Sequence, residues 1–258
     1  MKKIALTSAA LVAFGIAPAM AADLSPYYTK APVVPAVPAL YNWAGFYVGL
    51  NAGGASSHNC WTLTGVVGLS AFPPVAEGCH NATGGLAGGQ IGYRWQASNW
   101  IFGVEAQGDW ANLKGSSTSV LVVPGSTVIN QSKIDALGLF TGQVGYAWNS
   151  VLWYVKGGAA LTHDRYNGIA TATTLTLGQA TETRWGGAIG TGLEWQFAPG
   201  WSVGVEYDHL FMGSHGETFT SLVAPAGFAT RSEGIKQDVD MGTVRINYTF
   251  GAPLVARY

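Results

Sequence analysis

The chain has 258 residues, 13 of them basic and 14 acidic, with a formal net charge of −1. Charged residues are only 10% of it, against roughly 25% in soluble domains, while hydrophobic residues reach 48%. There is no basic block and no aromatic–basic interleaving, which speaks against nucleic acid as a partner.

Residues 1–21 read as a cleaved secretory signal peptide. Lys2 and Lys3 precede an apolar run from Ile4 to Ala17, and Ala19 and Ala21 form a small-residue cleavage site. The apolar run is too short to span a bilayer as a helix, and no later run reaches the ~18 residues such a helix needs. Removing the signal leaves 237 residues with 11 basic and 14 acidic groups. Residues 22–40 carry Pro26, Pro32, Pro35 and Pro38 and read as an extended periplasmic linker. The folded domain is expected over 41–258.

From residue 43 on, apolar and polar residues alternate with period two, the mark of half-buried strands. Eight segments are predicted: 43–54, 84–96, 100–111, 136–148, 151–162, 181–197, 201–211 and 237–250. Most are longer than the ~5–6 residues of soluble strands and match the ~9–11 that cross a bilayer at a tilt. Three connections are tight: 97–99, 149–150 and 198–200. Four are long: 55–83, 112–133, 163–180 and 212–236. Long and short strictly alternate, as in outer-membrane barrels with short periplasmic turns and long outer loops. The predicted class is therefore all-β, an eight-stranded antiparallel up-and-down transmembrane barrel. A soluble periplasmic sandwich is the competing reading.

Tryptophan placement favours the barrel. Trp95 and Trp100, Trp148 and Trp153, and Trp195 and Trp201 flank the three tight turns, and Trp43 opens the first strand at the same end. A ring of Trp at one rim is an aromatic girdle, because the indole is apolar in body but carries an N–H that seeks a partner. The opposite strand faces then point into the lumen. They carry Arg94, Lys156, Arg184 and Arg245 with Glu105, Asp109, Glu182, Glu194, Glu206 and Asp208. Eight strands enclose just enough room for side chains, so these charges should pair into a polar plug.

The chain resembles the small eight-stranded outer-membrane surface-antigen barrels of α-proteobacteria, a family grouped loosely with porins. The resemblance rests on "AMAADL", "APVVPAVPALYNWAGFYVGLNAGG", "NWIFGVEAQGDWANLKG", "GQVGYAWNSVLWYVKGGAAL" and the ending "VRINYTFGAPLVARY". It implies a place among outer-membrane lipids and insertion by the barrel-assembly machinery, which reads an aromatic-ended last strand; Phe250 and Tyr258 are the two candidates. The family's fourth strand often carries two inward arginines, where this chain has Thr141 and Gln143.

Cys60 and Cys79 are the only cysteines, and in an oxidising compartment they are expected to form a disulfide. His58 and His80 beside them leave zinc as the alternative, at a spacing unlike the usual fingers. Near the outer rim lie His163, Asp164 and Arg165, then Asp208 and His209, then Ser214, His215 and Glu217, a conceivable source of a Ser–His–acid triad. No nucleophile-elbow, zincin or P-loop motif is present. The expectation is a non-enzymatic barrel with no cofactor, a structural and surface-exposed envelope role, and loops free to meet host or surface ligands. A narrow porin-like channel is the alternative, and a lipid-modifying rim enzyme a third reading.

Overall fold

A computed structural model describes residues 41–68, 73–123, 126–223 and 226–251. The segments expected as signal peptide (1–21) and linker (22–40), and Tyr258, lie outside the described residues. Eight strands follow one another: β1 (Gly45–Val66), β2 (Val75–Ala97), β3 (Trp100–Val123), β4 (Ser126–Trp148), β5 (Val151–Ala170), β6 (Thr176–Ala198), β7 (Trp201–Ser221) and β8 (Ala229–Thr249). Each pairs antiparallel with the next, and β1 pairs with β8, so the sheet closes with no free edge.

The three tight turns obey ordinary hairpin chemistry. Ser98, Asn149 and Gly200 take the positive φ that such turns demand, and Pro199 presets the turn before Gly200. Two inward glycines serve a different purpose. A Cβ at Gly92 would run into the ring of Tyr47, and one at Gly192 into the ring of Tyr154. Both positions are craters in the inner wall that admit a tyrosine from the neighbouring strand.

The strands run 20 to 24 residues, about twice what the bilayer requires. This corrects the expectation of four long outer loops. Most of 55–83, 112–133, 163–180 and 212–236 is paired strand, and the true outer connections are 67–74, 124–125, 171–175 and 222–228. The cause is a change of polarity along the strands. Near the short-turn end the outward residues are apolar and exposed, for example Phe46, Ile91, Phe102, Val144, Val155 and Leu193. Toward the opposite end the outward residues become largely polar, and the inner face turns partly apolar around Trp61, Tyr166 and Phe219. The in–out alternation persists there, but both faces carry polar residues, which hides it from a pattern keyed to polarity.

Candidate functional site

The lumen is the place where this chain concentrates its chemistry, and it is filled in layers. The lowest layer is apolar: Trp43, Ile101, Ala147, Leu152 and Tyr154 pack across the periplasmic end. Trp43 was expected in the girdle, but it is 2% exposed and folds inward. Its backbone N–H donates to Gln96 (2.9 Å) and its indole N–H to the Asn149 carbonyl (3.3 Å). It precedes β1, where strand parity no longer fixes the face.

Above it lies an ionic layer. Arg94 donates to both oxygens of Glu194, at 3.0 and 2.6 Å, and both side chains are wholly buried. Ser202 donates to Glu194 as well (3.0 Å), and the Arg94 guanidinium lies 4.3 Å above the Tyr47 ring. Arg245 contacts Glu105 and Glu206. Lys156 sits 2.7 Å from Glu206, 3.2 Å from Asp208 and 3.5 Å from Glu105. Tyr47 donates to Glu105 (2.6 Å), Tyr154 to Glu206 (2.5 Å) and Gln107 to Asp109 (2.9 Å). Carboxyls outnumber cations in this layer, and these neutral donors serve Glu105, Glu206 and Asp109. Thr141 and Gln143 face the same space, where Gln143 donates to the Tyr47 oxygen (3.1 Å).

The lumen is not polar throughout. Over the ionic layer comes an apolar one that includes Leu86, Leu113, Leu137, Leu139, Leu210, Met212, Val239 and Met241. This departs from a purely polar plug. Leucine and methionine fill the volume without a desolvation cost, which charges could offset only by pairing.

The upper lumen turns polar again. His80 bridges Ser117 and Ser132, each at 3.0 Å, and Asp164 accepts from Gln237 (2.9 Å). Arg184 belongs here, above the ionic layer, with Glu182 (3.0 Å) and the Ile235 carbonyl (3.0 Å). His215 meets the other oxygen of Glu182 at 2.6 Å. The β6–β7 ladder is interrupted at this level, between the Gln179–Thr220 and Gly187–Phe211 pairs. Burial and the neighbouring Glu182 push the Glu217 carboxyl up to about 7. Burial opposes ionisation of Glu182 too, but its hydrogen bonds and the Arg184 charge hold it below the usual range.

An aromatic layer follows, with Trp61 edge-on to Tyr166 at 5.5 Å and 5.7 Å from Phe219. At the mouth Arg231 lies over Phe219 (4.6 Å), donates to Asn130 (2.9 Å) and stands 3.2 Å from the buried Glu233. A cavity of about 450 Å³ opens there, lined by Val66, Val128, Leu177, Phe219, Val223 and Arg231 among others.

On the outer wall, Trp95, Trp100, Trp148, Trp153, Trp195 and Trp201 are each 43–54% exposed at the turn end. Phe250 joins them, 5.8 Å from Phe46, with its backbone N–H donating to the Phe46 carbonyl. The Cys60–Cys79 disulfide is formed between directly opposed residues of β1 and β2, facing out. His58 shares that outer face, but His80 is turned into the lumen, so the four groups do not converge on one ion.

The rim residues do not assemble as a triad. Ser214 is exposed on the outside while His215 reaches Glu182 inside. Asp208 points in, and His209 points out to Asp240 (2.7 Å). Missed in the sequence were Tyr47 and Tyr154 as lumen donors. Their parity placed them inside, but only the craters at Gly92 and Gly192 give them their role.

Known proteins place this arrangement. Residues 7–250 match the family described as the outer membrane protein beta-barrel domain. The chain belongs to that family. Such a barrel lies in the outer membrane, and this one is no exception. The 31 kDa outer-membrane immunogenic protein of Brucella melitensis is 27% identical over 229 residues, covering 83% of this chain and 88% of that one. An uncharacterized protein of Coxiella burnetii is 29% identical over 172 residues, 62% of this chain and 66% of that relative. Among solved structures, the outer membrane protease OmpT of Escherichia coli superposes with a TM-score of 0.52 at 7% identity. That match covers 80% of this chain and 97% of OmpT. At so low an identity the likeness concerns the barrel fold alone.

Proposed function

We propose that this barrel is a sealed, non-enzymatic envelope protein that anchors a rigid stalk of paired strands in the outer membrane and holds it above the surface. The carrying observation is the layered lumen. Four zones, Trp43 with its neighbours, the Arg94–Glu194 and Arg245 cluster, the leucine–methionine layer and the Trp61 layer, each fill the bore with side chains that are almost wholly buried. A solute would have to displace all four, including ion pairs that are costly to break. Interrupted outer loops would flop, whereas paired strands hold their tips at a fixed distance from the bilayer. That favours presentation of the short connections to surface or host ligands. Single-channel recording in planar bilayers tests the seal. Folded protein, identified by its heat-dependent mobility in SDS gels, is expected to give no steady openings. Regular conductance steps would favour the narrow-channel reading instead.

A further inference from the structure

Charge is scarce on the outer wall. Among the described residues the basic groups that face outward are Lys114, Lys133, Arg165 and Lys236, and the acidic ones are Asp135, Asp238 and Asp240. Three of these four cations are direct neighbours. Lys114 on β3 pairs in register with Lys133 on β4, and Lys133 with Arg165 on β5. Like charges opposed across strands destabilise a sheet. Asp135, inserted by the bulge between Ile134 and Ala136, relieves this in part, at 2.5 Å from Lys133 and 2.9 Å from the Arg165 Nε. The patch still carries two positive charges in excess, and Lys114 has no ionic partner among the described residues. Arg165 is engaged through Nε, and its side chain is 55% exposed, so the terminal nitrogens of the guanidinium face solvent.

Height decides what meets this patch. Going up the outer face of β5, the residues are Trp153, Val155, Gly157, Ala159 and Leu161, and then His163 and Arg165. From Trp153 to Leu161 the tilted strand rises roughly 20 Å, which nearly fills the ~25 Å apolar band of such barrels. The basic row therefore begins where the acyl chains of the outer leaflet end.

We propose that Lys114, Lys133 and Arg165 form a binding site for the phosphate of an outer-leaflet lipid headgroup. The two lysines act as point charges, and the Arg165 fork makes paired hydrogen bonds to phosphate oxygens. The opposite side of the wall, with Asp238 and Asp240 on β8, repels the same group, so lipid binds one flank of the barrel.

The full chain, refolded into phosphatidylcholine vesicles containing either diphosphorylated lipid A or the same glycolipid stripped of phosphate, is then extracted with bound lipid counted by native mass spectrometry. Wild type is expected to retain the phosphorylated form preferentially. The triple variant Lys114→Gln, Lys133→Gln, Arg165→Gln is expected to retain both equally. Lys114→Gln alone, which breaks no ion pair among the described residues, is expected to lower the preference about fivefold, and Lys236→Gln, on the acidic flank, to leave it unchanged. Equal retention by wild type, or a wild-type preference in Lys114→Gln, overturns the proposal. The single variant decides the matter if the triple variant does not fold.

Discussion

Replacing Glu194 by Gln tests whether the lumen is dry. Arg94 and Glu194 are both 0% exposed, joined by two hydrogen bonds, and flanked by the Tyr47 ring. Removing one partner of such a pair leaves a buried charge without its counter-ion, which costs about 3–5 kcal/mol. In a water-filled bore the same pair would be solvated, and its loss would cost about 0.2–1 kcal/mol. The double variant Arg94→Met, Glu194→Leu removes both charges and keeps the volume, so it is expected to recover most of the loss. The assay is equilibrium urea unfolding in phosphatidylcholine vesicles, followed by tryptophan emission. A cost below about 1 kcal/mol for Glu194→Gln, or a double variant as unstable as the single one, would refute the dry, ion-paired lumen and with it the main support for a sealed barrel.

Three further outcomes are expected. Reducing the Cys60–Cys79 bridge, which spans a separation of 19 residues, should cost about 3 kcal/mol in urea, while the unheated protein stays compact in SDS because the membrane-spanning part is untouched. Burial raises the Glu233 carboxyl from its ordinary 4.5 to about 8. Between these values the folded protein binds more protons than the unfolded one, so stability should fall as pH rises through that window, and the loss should be complete above it. Unfolding at about pH 5 and about pH 9 measures this slope, and Glu233→Gln should reduce it, leaving the part that the raised Glu217 contributes. Brominated lipids should quench the outward indoles and spare Trp43 and Trp61; Trp43→Phe should then remove part of the unquenched emission, and an unchanged residual would place Trp43 in the girdle after all.

Period two is a covalent property of extended chain, since successive Cβ atoms point to opposite faces. That is why the sequence alone determined the strand count, the antiparallel hairpins and the lumen side of Arg94, Glu105, Lys156, Glu194 and Arg245. It also placed six tryptophans at the turn end, because a two-residue turn fixes where its flanking residues lie. Parity stops where the strand stops, and so Trp43 was assigned to the wrong face. Parity also carries no sign of polarity, and so the outer halves of the strands, polar outside and partly apolar inside, passed for loops. Which charges meet is a different matter. Arg94 lies 100 residues from Glu194, and Arg245 lies 140 from Glu105. Such partners come together only once β8 closes on β1 in a definite register, because a shift of that register turns every side chain around the bore to a new neighbour.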